Sequence, residues 1–271
     1  MSRTEANDDL LTLWTGRQSG AYISQVYEVA AFDRAVLSWN ARGAARFELE
    51  VDGRWHAMGE WGAEPRSIPS EYVDTDTLVL NQPLTRFRFR VVPLDAQAQI
   101  SLVAVTHWLS NASVAYGDKP GAAWRRVLDV PERSQWDETI EPERICSPTS
   151  LAMVLEYHGL KRSTREVAEG VLDRQKNIYG NWVLNTAYAH ATAGVQAYVK
   201  RASRIEELEA EIAAGRPAIF SHRWSKGELV DAPIEQSAGH LVVAVGFTEN
   251  GDVIVNDPAG RPGQVRRVYR E

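Results

Sequence analysis

Between about residues 22 and 109 several runs alternate apolar and polar residues with a period of two, and the period lengthens to that of a helix after residue 146. Phe47, Leu49 and Val51 alternate with Arg46, Glu48 and Glu50. Asp52-Gly53 follows as a hairpin turn, with Trp55 on the return strand. Thr77-Leu78-Val79-Leu80 reads as a short strand, and Phe87, Phe89 and Val91 alternate with Arg86, Arg88 and Arg90. Residues 99–108 are mostly apolar, which predicts a strand buried on both faces. Short strands separated by turn residues over 22–109 predict an all-β sandwich, jelly-roll-like, occupying residues 1–115.

The pattern dissolves at Gly117-Asp118-Lys119-Pro120-Gly121, which is turn chemistry and predicts a linker over 116–129. In 130–271 helices come first and strands later, so the expected class is α+β. Leu151, Val154 and Leu155 repeat at helical spacing, Pro148 suits a first turn, and Gly159 is a stop signal. Ser163 and Glu166 form a capping box for a second helix. Asn181 caps a third, running toward Gly194. Residues 195–199 alternate and predict a strand. Ser203 and Glu206 form another capping box, opening a helix through Ile205, Leu208 and Ile212 that Gly215 stops. Strands are expected at 217–224, 240–247, 252–256 and 264–269.

Composition narrows the function. An apolar content of 44% and nine tryptophans supply a core for a chain of 271 residues. A single cysteine excludes an internal disulfide and a cysteine-rich zinc site. The net charge of −6 and the lack of a long basic run give nucleic-acid binding no electrostatic support. No apolar run approaches the roughly 20 residues that span a bilayer, so no membrane span is expected. The polar N-terminus lacks the apolar core of a signal peptide. A cytoplasmic location is expected for the chain as it stands, and a secreted one if a leader has been removed. Trp39, Trp55 and Trp61 invite a sugar-stacking role, but tryptophans in a small sandwich are mostly core.

The lone cysteine, Cys146, falls where a charged segment gives way to the helix containing Pro148. A sulfur at a helix N-terminus meets unpaired N–H groups and the positive end of the dipole, which stabilise a thiolate. Cys146 is therefore a candidate nucleophile, set against the plain alternative of a small buried hydrophobe. Of six histidines, His56 and His107 fall in the first half. His158 lies on the cysteine's own helix, about 18 Å along it at ~1.5 Å per residue. His190 and His222 fall inside a predicted helix and strand and read as structural. His240 follows the loop Gln236-Ser237-Ala238-Gly239 and opens the apolar strand Leu241-Val242-Val243-Ala244-Val245. The turn Glu249-Asn250-Gly251 then returns the chain so that Asp257 comes back beside His240. A carboxylate there holds the imidazole's tautomer and stabilises the imidazolium.

Cysteine on a helix, then histidine and aspartate on adjacent strands, resembles the papain-like cysteine peptidases. Within them it is similar to the bacterial branch related to the double-glycine peptidases that process bacteriocin leaders. The matching residues are Gln135-Trp136, Cys146-Ser147-Pro148-Thr149-Ser150, Gly239-His240-Leu241-Val242-Val243 and Asn256-Asp257-Pro258. The resemblance implies a papain-like domain over 130–271. It implies that Cys146 is the nucleophile, His240 the general base and acid, Asp257 the orienting residue and Gln135 an oxyanion-hole donor. Asn256 remains an alternative to Asp257. Ser147 departs from the glycine usual after the cysteine. Val36-Leu37-Ser38-Trp39-Asn40, the strand through Trp55, and Val73-Asp74-Thr75-Asp76-Thr77-Leu78 look like galactose-binding-like sandwich modules.

The expected function is hydrolysis of a peptide or isopeptide bond in a peptide or protein substrate, through a thioester, with no cofactor and no metal. Two rivals stand beside it: an amidase or acyl transferase on the same triad, and an inactive binding protein whose sandwich takes a glycan or protein ligand.

Overall fold

The computed structural model describes residues 3–4, 10–62, 64–112, 121 and 123–269. The expected linker core at 117–120 lies outside the described residues. The chain forms two compact units, Met1–Ala112 with Val171–Arg201, and Ser113–Gly170 with Ala202–Glu271.

The first unit is a nine-stranded antiparallel sheet: β1 (Arg3–Thr4), β2 (Leu11–Ser19), β3 (Tyr22–Ile23), β4 (Tyr27–Arg42), β5 (Ala45–Val51), β6 (Arg54–Trp61), β7 (Val73–Asp74), β8 (Thr77–Pro93) and β9 (Gln99–Trp108). The order is β1-β2-β9-β4-β8-β5-β6, with β3 and β7 also on β8. The β5–β6 turn has Asp52 and Gly53 at φ 50 and 73, the left-handed pair that matches the twist of a tight hairpin. The expectation of short strands needs correction. The runs around Leu78 and Phe89 are one 17-residue strand, and β4 has 16 residues. Register shifts at Glu28/Phe32 and Phe32/Arg34 let β4 bend without ending.

The core of this unit is aromatic. Trp39 is fully buried and stacks on Phe47 at 4.2 Å. Trp61 is buried too, and Trp55 carries the Arg88 and Arg90 guanidinium groups over its ring at 5.3 and 4.4 Å. Two of the three tryptophans are thus core, and the third has its face covered by cations.

Polar side chains inside β4 explain a second departure. Residues 171–201 belong with this unit, so it is not purely β and the two units interleave along the chain. The helix Trp182–Ala193 (α3) buries Val183, Leu184 and Ala187 in the aromatic core. Residues 195–199, expected as a strand, form none and pair with side chains rather than a neighbouring backbone. Asn40 Nδ2 donates to Ala197 O at 2.6 Å, and Ala197 N donates back to Asn40 Oδ1 at 3.1 Å. Val199 N donates to Ser38 Oγ and Arg201 N to Thr106 Oγ1. Ser38, Asn40 and Thr106 are buried polar groups, and these bonds use their acceptor oxygens.

Asp76 ties α3 to the sheet by accepting from Trp182 N at 3.2 Å. Burial pushes its carboxyl up to about 6 against hydrogen bonds from Thr77 and Trp182, with the Asp173 charge adding to the rise. A raised folded pKa means that the folded state holds its proton longer, so stability falls as pH rises from about 4 to 6 and stays lower above. Asp76→Asn removes that cost. Its advantage over the parent should be near zero at pH 4 and reach about 3 kcal/mol at most above pH 7, read by chemical denaturation at both pH values.

The second unit carries α1 (Cys146–Tyr157), α2 (Thr164–Val171), α4 (Ile205–Ala213) and an antiparallel sheet β10-β11-β12-β13. The strands are β10 (Ala218–Trp224), β11 (Ser237–Phe247), β12 (Val253–Asn256) and β13 (Arg266–Tyr269). The class is α+β, as expected. The Ser163–Glu166 capping box forms, with Ser163 N donating to Glu166 Oε2 at 2.8 Å and Glu166 N to Ser163 Oγ at 3.2 Å. At α4 the partner of Ser203 is Glu207, not Glu206. The segment 123–128, inside the expected linker, instead packs along β11: Leu128 N donates to Val245 O and Phe247 N to Arg126 O. Gly246 permits this approach, since a Cβ there would meet Arg126 O at 2.3 Å.

Candidate active site

Cys146 is the first residue of α1. Its neighbour Ile145 is buried, and Thr149 Oγ1 donates to Ile145 O at 2.7 Å, closing the helix start. Ser150 Oγ donates to Leu241 O at 3.1 Å, which fixes this start against β11 beside His240. The helix runs to Tyr157, and Gly159 follows at φ 86, as its stop signal predicts.

Of the four expected site residues, His240 and Asp257 are joined by a side-chain hydrogen bond, and Cys146 lies beside them. His240 is buried, and the Cys146 thiol lies close enough for the imidazole to act on it. Its Nε2 lies 2.7 Å from Asp257 Oδ1 and donates to it, because a carboxylate only accepts. Asp257 is fully buried and accepts twice more, from Ala259 N at 2.8 Å on Oδ1 and from the Tyr269 phenol on Oδ2. Asn256 faces elsewhere. Its Nδ2 donates to Val130 O at 3.1 Å and Pro131 O at 3.3 Å, and its Oδ1 accepts from Arg266 Nε at 3.0 Å.

Gln135 is buried at the start of a 3-10 turn, Gln135–Asp137. This turn is pinned to the chain just after Asp257. Gln135 N donates to Pro258 O at 2.8 Å, Trp136 Nε1 to Ala259 O at 2.7 Å and Ser134 Oγ to Gly260 O at 2.6 Å. One loop therefore sets the position of both Asp257 and Gln135. The buried Gln135 Oε1 has no hydrogen-bond partner.

The electrostatics favour a charged pair. Burial pushes the Cys146 thiol up, but the hydrogen bond and charge of His240, with the Leu241 and Ser147 backbone N–H groups, hold it below its ordinary value. Burial alone lowers His240, yet Asp257 and Cys146 together raise it to about 9. Burial disfavours the charged Asp257 carboxylate, but His240, Tyr269 and Ala259 keep it below the usual range. The N–H of Ser147 is one of the groups that lower the thiol, so the departure from glycine leaves that donor in place.

Sequence reasoning missed the wall around His240. His222 lies opposite it in the β10–β11 register, with ring centroids 6.2 Å apart. Trp224 crosses His240 edge-on at 5.9 Å. Burial, and then the charge of His240, lower His222 to about 4, so it is neutral beside a cationic neighbour. The available signal was the register: antiparallel pairing of 217–224 with 240–247 puts the two histidines across from each other.

A comparison with protein families matches residues 127–271, more than half of the chain. The chain belongs to the Peptidase_C39 like family. No curated protein matches it. Among solved structures, the catalytic unit of the thermostable GH87 alpha-1,3-glucanase from Streptomyces thermodiastaticus strain HF3-3 aligns at 10% identity, with a TM-score of 0.23. That alignment covers 48% of this chain and 29% of that one. Family membership supports a cysteine peptidase over 127–271, which is the stretch that contains Gln135, Cys146, His240 and Asp257. Among the described residues no helix is long and apolar enough to cross a membrane, and no cluster of His, Cys, Asp and Glu is arranged to hold a metal ion.

Proposed function

We propose that the protein is a cysteine peptidase that hydrolyses a peptide or isopeptide bond, with Cys146 as nucleophile. The observation that carries this reading is the buried His240–Asp257 hydrogen bond beside the Cys146 thiol, which His240 holds below its ordinary pKa at the start of α1. The Cys146 thiolate attacks the scissile carbonyl carbon. Negative charge moves to the carbonyl oxygen, where the Cys146 backbone N–H and the Gln135 side-chain amide stabilise it. As the tetrahedral intermediate collapses, the C–N bond breaks and the His240 imidazolium gives its proton to the leaving amine. The acyl group remains on sulfur as a thioester. His240, now neutral, takes a proton from water, which attacks the thioester and releases the acid and the thiolate. Asp257 holds the imidazole's orientation throughout.

The papain-like arrangement, with the helix bearing the sulfur against a sheet bearing the histidine, and the relation to leader-processing peptidases are parts of this reading. Its test is a peptidyl vinyl sulfone, which captures a thiolate only where an acyl-binding site presents it. The parent protein should gain one probe mass, on Cys146, and should cleave peptides with new N-termini seen by mass spectrometry. Cys146→Ser should do neither. A parent that reacts with iodoacetamide but cleaves no amide bond would move the reading to acyl transfer. Activity should fall along an alkaline limb near pH 9, because deprotonating His240 removes the proton needed by the leaving amine.

A further inference from the structure

The carboxylate beside His240 is held from a direction that the reaction itself does not require. Asp257 uses Oδ1 for His240 and Ala259 N, and Oδ2 for Tyr269. Tyr269 lies on β13, one of the two edge strands of the sheet. It packs in a buried cluster with Val242 and Val255, against Phe220, Leu229 and Val253. The His222 ring lies 5.6 Å from the Tyr269 ring and 6.2 Å from the His240 ring, so it spans the gap between them. The ionisable groups facing the phenol are Asp257 from the chain after β12 and His222 from β10, with Arg267 of its own strand acting at longer range.

We infer that Tyr269 is a positioning residue for the proposed Cys146–His240–Asp257 line, acting through Asp257 by fixing the rotation of its carboxylate. A carboxylate anchored only through Oδ1 can turn about its Cβ–Cγ bond and share that oxygen unequally between His240 Nε2 and Ala259 N. With Oδ2 held by a buried phenol, the plane is set and Oδ1 stays on the imidazole. Hydrogen bonds to an ionised acceptor are the short, strong ones, and they orient as well as stabilise. The phenol is suited to this work because burial and the Asp257 charge raise its pKa, so it remains a donor at every pH where the peptidase would operate. The ring that carries the hydroxyl is itself clamped by apolar neighbours and by His222.

The inference rests on the proposed thiolate–imidazolium pair, and the test separates the two. The rate of Cys146 alkylation by iodoacetamide is measured from pH 4 to 10 in the parent, Tyr269→Phe, Asp257→Asn and the double variant. Tyr269→Phe should raise the midpoint of the pH–rate curve by about one unit and slow alkylation at pH 6 by roughly 5- to 10-fold, with an unchanged circular dichroism spectrum. In the Asp257→Asn background the same substitution should change the rate less than twofold, since its effect passes through the carboxylate. An unchanged or lowered midpoint in Tyr269→Phe overturns the inference. So does an equal effect in both backgrounds, which would make Tyr269 a general packing residue. If Tyr269→Phe perturbs the fold, Tyr269→Trp, which restores a ring with a donor, gives the second comparison, and failure of that donor to recover any of the lost rate also overturns it. A His240→Ala variant that alkylates like the parent would instead overturn the proposed function.

Discussion

His240→Ala is expected to slow alkylation of Cys146 at pH 6 by about a hundredfold. The sulfur of the parent is buried enough for desolvation to oppose ionisation, and His240 with the Leu241 and Ser147 backbone N–H groups together hold the thiol below its ordinary value. Without the imidazole, only the Leu241 and Ser147 backbone N–H groups oppose burial, and the thiol moves back up toward its ordinary range. Fewer than about one molecule in a hundred then carries a thiolate at pH 6. The remaining thiolate is intrinsically more nucleophilic, which returns part of the loss. The rate ratio between parent and variant should shrink steadily toward pH 9 and vanish above it. Iodoacetamide kinetics followed by intact mass check the whole curve. A ratio near one at pH 6 would sink the proposed ion pair.

The adjacent pair Asn256 and Asp257 should separate cleanly in function and stability. Asp257→Asn is expected to cut kcat by about 10³- to 10⁴-fold with little change in melting temperature, because an amide can still accept but presents no charge to the imidazolium and favours the wrong tautomer. Asn256→Ala should do the reverse. Its side chain satisfies the Val130 and Pro131 carbonyls and accepts from Arg266, all in a fully buried position. Val130 O keeps its bond from Arg266 Nη2, but stranding the Pro131 carbonyl and the Arg266 Nε costs about 1–3 kcal/mol. The melting temperature should drop by several degrees while turnover of the folded fraction stays within a factor of three. Equal losses of kcat in both variants would contradict this division of roles.

The residues that carry local signals were readable from the sequence. Pro148 and the Leu151, Val154, Leu155 repeat place the helix start at Cys146, and the Glu249-Asn250-Gly251 turn brings Asp257 back toward His240. The residues that were not readable act across the sheet. Tyr269 lies twelve positions beyond Asp257 and belongs to a different strand, so only the three-dimensional lean of its side chain reaches Oδ2. His222 reads as an ordinary strand residue until its register partner is known. Residues 195–199 carried the period of a strand, but backbone alternation does not say what accepts the hydrogen bonds. Here Ser38, Asn40 and Thr106 take that part, and buried polar residues inside apolar strands were the unread signal.

The inclusion of residues 171–201 in the first unit has a consequence for synthesis. On a ribosome, β2 to β9 emerge with the seats for Val183, Leu184 and Ala187 still empty. Asn40 likewise waits for Ala197, about 157 positions later in the chain. At typical elongation speeds of 5–20 residues per second, that pairing is delayed by roughly 8 to 30 seconds after Asn40 itself is made. During this interval the apolar seats for α3 are open, so the nascent first unit is a natural client for a holding chaperone. A fragment ending at residue 115 would remain in that unfinished state permanently and should aggregate where the full chain does not.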